Sequence, residues 1–184
     1  MNSSVFNSFP QLESSRLLFQ DMTTADPKEV FLMRSDIQIY KYLDRPMAQS
    51  LDDAIKHIDL VKNSFAEKSG ISWLIVEKET MKVAGNIGLW RFDIENNRAE
   101  IGYVLKPEFW GKGLMKEAID VVTKFSFSQL QIHSIEANVN PKNLSSIKVL
   151  EKCNFKREAY FRQNYFYNGQ YLDSVIYSLL EEDI

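Results

Sequence analysis

The sequence of 184 residues contains only one cysteine and two histidines. A single cysteine excludes an intrachain disulfide, and these three side chains lack the spacing of a zinc site, so we predict no metal. Cys153 lies among apolar residues at the end of a predicted helix, where packing is expected rather than nucleophilic chemistry. His57 and His133 are expected to be structural or exposed.

Long apolar runs and an excess of positive charge are also missing. No run of about 18 apolar residues occurs, and the N-terminal residues have neither the basic nor the apolar part of a signal peptide. The net charge is −3 and the isoelectric point is near 5.5, so no global basic field attracts nucleic acid or an anionic membrane. We therefore expect a cytoplasmic protein, with neither nucleic acid nor membrane as a partner.

The length and the 45% hydrophobic content suffice for one domain with its own core. We assign residues 14–184 to this domain and residues 1–13, which are rich in serine and asparagine, to a flexible lead-in. Asp26-Pro27 predicts a helix start, and a second helical piece is expected to end near Arg45-Pro46.

Helix and strand signals then alternate along the chain. Ser50 followed by Asp53 has the order of a capping box and predicts the start of another helix. Alternating apolar residues over 71–105 predict an antiparallel meander of three strands, which helix, strand and helix patterns follow. Asn168-Gly169 predicts a tight hairpin between two aromatic strands. This order predicts a mixed α/β domain with a partly antiparallel sheet.

The stretch Ile101–Ala118 joins an apolar strand to an amphipathic helix through a turn that contains Gly111 and Gly113. Glycines at this position allow a backbone to approach an anion, and the free N–H groups at the start of the next helix favour negative charge. The pattern indicates a phosphate cradle. An ordinary strand–turn–helix corner, in which the glycines only make the turn, is the alternative.

Five segments carry a resemblance to a known family. They are Ala99–Leu105, Trp110–Gly113, Asn143–Ser146, Leu150–Phe155 and Gly169–Asp173. Together they resemble the GNAT superfamily of acetyl-CoA-dependent N-acetyltransferases, and most closely its Rim-type branch, which acetylates the N-termini of ribosomal proteins. The resemblance covers residues 14–180. It implies an α/β (α+β) GNAT fold: a mixed, mostly antiparallel central sheet of about seven strands flanked by helices, with splayed strands around the coenzyme A site.

The resemblance implies acetyl-CoA as co-substrate and assigns residues to its binding. Backbone amides of Tyr103, Val104 and Leu105 are expected along the pantetheine arm and at the carbonyl oxygen. The remaining candidates for coenzyme binding are Trp110, Gly111, Lys112, Gly113, Leu114, Met115, Asn143 and Ser146. Lys112 is equally interpretable as a solvated loop lysine.

Two positions depart from the family pattern. Met115 occupies a slot where the family usually has a small residue, which narrows the approach expected for the pyrophosphate. Leu150 occupies the slot of the tyrosine that protonates the leaving thiolate in many members of the superfamily. The Rim-type branch has a serine three residues after the asparagine, and Ser146 is therefore the candidate acid. A helix-start residue without a catalytic role is the alternative.

The base and the acceptor pocket are less constrained by the sequence. Glu100 and Glu136 lie on the two strands expected to flank the gap, where a carboxylate could order a water that deprotonates the amine. Surface ion pairs are the alternative for both residues. Tyr165 occupies a slot where some ribosomal-protein enzymes have a glutamate, and Tyr165, Phe166 and Tyr167 are expected to line the acceptor pocket.

The resulting hypothesis is an acetyl-CoA-dependent N-acetyltransferase that acts on a primary amine by direct attack in a ternary complex. The N-terminal α-amine of a ribosomal or other protein is the first candidate acceptor. The alternatives are a small amine, such as a polyamine or an amino sugar, and a catalytically silent acyl-CoA-binding module. A homodimer is left open.

Overall fold

A computed structural model describes residues 1–184 and places eight strands in one mixed sheet. The strands are β1 (Leu12–Glu13), β2 (Leu17–Asp21), β3 (Gly70–Glu77), β4 (Lys82–Asp93), β5 (Arg98–Leu105), β6 (Ser134–Val139), β7 (Lys156–Tyr167) and β8 (Gln170–Leu180). Their spatial order is β1-β2-β3-β4-β5-β6-β8-β7. Only β5 and β6 are parallel. The predicted α/β fold is confirmed, and the two-residue edge strand β1 adds an eighth strand.

Five α-helices flank the sheet, and their starts follow local capping chemistry. They are α1 (Pro27–Ser35), α2 (Ile37–Tyr40), α3 (Leu51–Ala66), α4 (Leu114–Ser128) and α5 (Leu144–Lys152). Asp26 caps α1, and Ser50 with Asp53 forms the predicted capping box of α3. The second helical piece, α2, ends at Tyr40 and not near Arg45-Pro46 as predicted. None of these helices combines the length and apolar character that crossing a bilayer requires.

Two hydrophobic clusters hold the helices on the sheet. A cluster of 31 buried residues includes the inner face of α4, and it contains Trp73 and Ile119, which are fully buried. A cluster of five buried residues lies beneath α1 and α2: Met22, Met33, Ile39, Tyr40 and Leu74. The chain therefore has apolar packing on both sides of the sheet.

The first 13 residues differ from the predicted flexible lead-in. Ser3–Asn7 forms a short 3₁₀ helix, and Phe6 is only 8% exposed because its ring packs against Phe65 of α3 at a centroid distance of 5.2 Å. The carbonyl of Pro10 accepts a 2.8 Å hydrogen bond from the indole of Trp73. Aromatic packing therefore anchors a segment whose polar composition predicted none.

The sheet opens between β5 and β6. The two strands pair only from Arg98–Glu100 to Ser134–Glu136. Beyond this point β5 remains paired with β4 as far as Leu105, and β6 remains paired with β8 as far as Val139. Because each strand stays bound to its outer neighbour, the inner edges separate. This confirms the predicted splay.

Candidate active site

The turn before α4 forms a cradle of free amides. Gly111 and Gly113 both have φ of 75°, and Gly113 is the N-cap of α4 without a side-chain cap bond. The consecutive N–H groups from Gly111 to Lys116 donate to no acceptor in the protein. A Cβ built on Gly111 would meet no atom within 4 Å, so the turn is open on that side. These amides and the helix dipole suit a pyrophosphate, so the cradle fits coenzyme A.

The side chains of the first α4 residues point away from the cradle. Leu114 and Met115 are 2% and 7% exposed and belong to the large core cluster. Only the amide of Met115 faces the anion position, which corrects the expectation that its side chain narrows the approach. The indole of Trp110 donates to the Leu105 carbonyl at 2.8 Å and ties the end of β5 to the cradle. The ammonium of Lys112 lies 5.2 Å from the centre of the Phe109 ring and forms no ion pair.

An ion pair between Arg16 and Glu117, which the sequence did not predict, supports the turn of the cradle. Arg16 Nη1 donates to the Lys112 carbonyl at 2.9 Å, and its guanidinium lies 2.6 Å from the carboxylate of Glu117. Burial opposes ionisation of Glu117, but hydrogen bonds from Ser14, Arg16 and Ser15 lower its pKa to about 2. The cradle is therefore positioned by the segment that begins β2.

The edge of β5 that faces the gap presents alternate amides. Lys106 N–H donates to the Ala84 carbonyl of β4 at 2.8 Å. Because an antiparallel ladder alternates between its two edges, the amides of Tyr103 and Leu105 face the gap, whereas that of Val104 faces β4. This corrects the prediction for Val104, whose amide is turned away from the pantetheine position. Tyr103 and Leu105 keep the predicted arrangement.

The hydroxyls of Ser146 and Tyr103 form a pair at the gap. Asn143 caps α5 and accepts a hydrogen bond from Ser146 N–H at 3.2 Å, and this contact orients the first turn of the helix. The two hydroxyl oxygens lie 2.9 Å apart. Burial raises the pKa of Tyr103, so its phenol stays protonated. Leu150, in the slot of the usual tyrosine, is fully buried, and Tyr103 brings a phenol to the site from another element.

The two candidate glutamates have different environments. Glu100 lines the cavity in the gap and pairs with Arg91 at 2.8 Å. Its pKa is raised, because burial outweighs the opposing effect of Arg91. Glu136 pairs with Arg98 at 2.9 Å and does not line that cavity. The structure thus brings Glu100 to the site and leaves Glu136 in the surface ion pair that was its alternative interpretation.

Only one of the three predicted acceptor-pocket aromatics lines the gap. The hydroxyl of Tyr165 donates to the carboxylate of Asp44, which also accepts from Asn140 Nδ2 at 2.8 Å. Phe166 projects to the opposite face of β7, where it is 61% exposed and its ring lies 5.0 Å from that of Tyr171. Tyr167 lines neither of the two main cavities. The predictions for Phe166 and Tyr167 are corrected, because successive residues of a strand alternate faces and Tyr167 lies at the hairpin end.

Two adjacent cavities make up the site. The gap cavity has a volume of 490 Å³ and lies between β5 and β6. A second cavity of 400 Å³ lies between α1, α3 and the sheet. Both are lined by Arg45, Trp90, Arg91, Gly102 and Tyr103.

The sequence alone predicts no site role for Trp90 and Gly102, which line both cavities. A Cβ on Gly102 would lie 1.8 Å from the Trp90 ring, so glycine is required for that ring to lie across β5. A glycine inside an apolar strand is a usable signal of such a close approach. Asp44 and Arg45 lie in a loop for which the sequence predicts only the end of a helix. No local pattern indicates that these two residues belong to a site.

The splayed strands, the amide cradle and the paired hydroxyls define an acyl-CoA-dependent transferase site. The chain belongs to the acetyltransferase (GNAT) domain family, whose profile matches residues 16–156. It is 33% identical to the uncharacterized N-acetyltransferase YoaA of Bacillus subtilis, over 94% of this chain and 98% of that protein. The predicted family and the enzyme class, an N-acetyltransferase, are therefore confirmed.

Solved structures share the fold. The spermidine N-acetyltransferase of Vibrio cholerae, in complex with CoA and spermine, superposes with a TM-score of 0.81 at 20% identity, covering 92% of this chain and 98% of that one. The ribosomal-protein-S5-alanine acetyltransferase of Vibrio fischeri gives 0.80 at 20% identity, covering 95% and 98%. The Vibrio cholerae enzyme thus binds CoA on the same fold.

Proposed function

We propose that this N-acetyltransferase acts on the N-terminal α-amine of a protein by direct attack in a ternary complex. The observation that carries the proposal is the gap cavity, which lies between two strand edges and borders a second cavity. Such a slot suits a chain terminus, because the terminal residue can enter the gap while the residues that follow it extend outward. A ribosomal protein is the acceptor class suggested by the likeness to the Vibrio fischeri enzyme.

The residues around the gap can perform each step of the transfer. Bound acetyl-CoA supplies a thioester carbonyl, whose bond to sulfur breaks as the bond to the amine nitrogen forms. The amides of Tyr103 and Leu105 donate to the oxygen that gains negative charge. Ser146 gives its proton to the departing sulfur and receives one from Tyr103, and the phenol of Tyr103 regains a proton from solvent, so that it is protonated again before the next turnover. Glu100 accepts the proton of the amine through a water.

A polyamine acceptor is less compatible with the charges of the site. A cationic chain needs carboxylates that are free to bind it. The carboxylates that line the gap cavity are those of Asp44 and Glu100, and each already has partners in the protein. The catalytically silent module is opposed by the Tyr103–Ser146 pair, which supplies the acid that the sequence lacked at Leu150.

Thiol release from acetyl-CoA tests the proposed function. The assay compares N-terminal peptides, lysine side-chain peptides, spermidine and amino sugars at equal concentration. We expect turnover of the peptide α-amine to exceed that of the other amines. Faster turnover of spermidine would replace the protein acceptor by a polyamine, and coenzyme binding without turnover of any amine would favour the silent module.

Glu100→Gln should change the pH dependence of kcat/KM for the acceptor. An α-amine with a pKa near 8 gives a slope of about one in log kcat/KM against pH below neutrality. In the wild-type enzyme the slope should steepen towards about two below the raised pKa of Glu100, since the base is then protonated. The variant should lose about 10²-fold in kcat and keep the slope of one.

Glu136→Gln is the matched control for this experiment. Glu136 is the register partner of Glu100 across the β5–β6 pair, but it lies outside the gap cavity. We expect this variant to retain the wild-type slope and kcat. If the slope of log kcat/KM no longer steepens to about two in Glu136→Gln but still does so in Glu100→Gln, the base is Glu136 and not Glu100.

A further inference from the structure

We propose that the acceptor carries an anionic group, a carboxylate, which Arg34 and Arg45 bind in the cavity between α1, α3 and the sheet. We call this the arginine cavity; its volume is 400 Å³. The inference rests on the proposed acetyl transfer and names the chemical class of its acceptor.

The arginine cavity has positive charge without its own counter-charge. Its lining includes Arg34, Arg45, Arg91 and His57 and no aspartate or glutamate. Arg91 is paired with Glu100, but no carboxylate oxygen lies within 4 Å of the other two guanidinium groups. Two of the arginines are therefore available to a ligand.

Asp53 is the acidic residue whose charge acts on Arg34. Its carboxylate is already held by the amides of Gln49 and Ser50 at 2.9 and 3.1 Å, at the start of α3. It does not line the arginine cavity. Asp53 thus serves the capping box of the helix and leaves the donors of Arg34 free.

The two free arginines are fixed on the same aromatic ring. The guanidinium carbons of Arg34 and Arg45 lie 6.0 and 5.9 Å from the centre of the Tyr40 ring, which is buried. Arg34 Nε is buried without a hydrogen-bond partner. Repulsion between the two guanidinium groups and the unsatisfied Nε donor of Arg34 both raise the free energy of the protein. A bound anion would offset the repulsion and accept a hydrogen bond from this donor. Guanidinium groups are suited to carboxylate and phosphate because they bind two oxygens at once.

The arginine cavity adjoins the reaction site. Arg45 lines both cavities, as do Trp90 and Gly102, whose close packing forms the boundary between them. An acceptor with its amine near Glu100 would therefore place its anionic group at Arg45, which both cavities share. The anion has two sources: an acidic side chain close to the N-terminus of a peptide, or the carboxylate of a free amino acid.

The test compares acceptors that differ only in charge. One arm uses peptides that begin Ser-Asp or Ser-Glu against Ser-Asn or Ser-Gln, and the other uses free amino acids against their amides. In one of the two arms, we expect kcat/KM of the wild-type enzyme to be about 10- to 100-fold higher for the acidic acceptor than for its neutral partner. This ratio corresponds to the free energy of a hydrogen bond to a charged group. The arm that responds identifies the source of the anion.

Arg34→Gln and Arg45→Gln should each reduce this preference to within a few-fold of unity. The KM for acetyl-CoA and the midpoint of denaturant unfolding should stay close to wild type, which reports that the variants fold. Arg162→Gln is the matched control, because Arg162 is an exposed arginine that lines neither cavity. It should retain the preference.

An NMR measurement of acceptor binding to the wild-type protein tests the arginine cavity without the use of variants. Burial lowers the pKa of His57 to about 4, and the positive charges of Arg34 and Arg45 contribute to this shift. The acidic acceptor should raise the His57 pKa observed by NMR, because it neutralises these arginines, and the neutral acceptor should not. Equal rates for acidic and neutral acceptors with an unmoved His57 overturn the arginine site and leave acetyl transfer standing. Absence of turnover with every amine overturns the proposed function, and His57 then still decides whether the anion site exists.

Discussion

Replacing Gly113 by valine is expected to raise the KM for acetyl-CoA by about 10- to 100-fold. Gly113 has φ of 75° and forms the N-cap of α4, a conformation that costs a non-glycine residue about 1–2 kcal/mol and a β-branched residue more. The turn relieves this strain by rotating, and rotation moves the amides of Gly111–Lys116 away from the pyrophosphate. Steady-state kinetics with varied acetyl-CoA measures the effect, and kcat at saturation should change little.

Gly169→Val is the matched control for the cradle. Gly169 has φ of 77° in the β7–β8 hairpin, and a Cβ at this position would meet no atom within 4 Å. Both variants should therefore lose similar stability, measured by denaturant unfolding, because the backbone strain is similar. Only the cradle variant should change the KM. An unchanged KM in Gly113→Val, or equal changes in the two variants, would contradict the assignment of the cradle.

Removing either hydroxyl of the Tyr103–Ser146 pair is expected to lower kcat by about 10²-fold or more, because the leaving thiolate loses its proton donor. The KM for acetyl-CoA should remain within a few-fold of wild type. If the two hydroxyls act as one relay, the double variant Tyr103→Phe with Ser146→Ala should be no slower than the slower single variant. Single-turnover measurements separate this chemical step from product release.

Tyr177→Phe controls for the loss of a phenol hydroxyl elsewhere in the fold, at a buried side chain. The hydroxyl of Tyr177 also has one partner, the carboxylate of Glu151 at 3.2 Å, but it lies outside the gap cavity. Its removal should leave kcat unchanged. A wild-type kcat in Ser146→Ala would remove this serine from catalysis. Additive losses in the double variant would show that the two hydroxyls act separately.

Short-range chemistry explains which predictions from the sequence were confirmed. The capping box of Ser50 and Asp53 and the Asn168-Gly169 turn both depend on residues within a few positions of each other. Alternating apolar residues likewise predicted the β3–β4–β5 meander, because each strand buries one face. The free amides of the turn before α4 have the same local origin, since Gly111 and Gly113 precede the helix, and their binding of pyrophosphate stays a prediction.

Predictions that depended on the face or the partner of a side chain were less accurate. Met115 and Phe166 were both placed at the site from their positions in the sequence. Met115 points into the core, and Phe166 points to solvent on the far side of β7. The sequence determines the element on which such a residue lies, but the direction of its side chain relative to the site depends on the packing of the whole sheet.

The sequence by itself determined the family, the order of elements and the glycine turn before α4, because each is encoded by contiguous residues. Only the tertiary structure decided the contacts that we propose for catalysis and acceptor binding. Tyr103 meets Ser146 across 43 positions, and Tyr165 meets Asp44 across 121. The two free arginines come together on Tyr40 from a helix end and a loop. The physical reason is the separation of β5 from β6, which opens one cavity to side chains from both halves of the chain and cannot be deduced from local patterns.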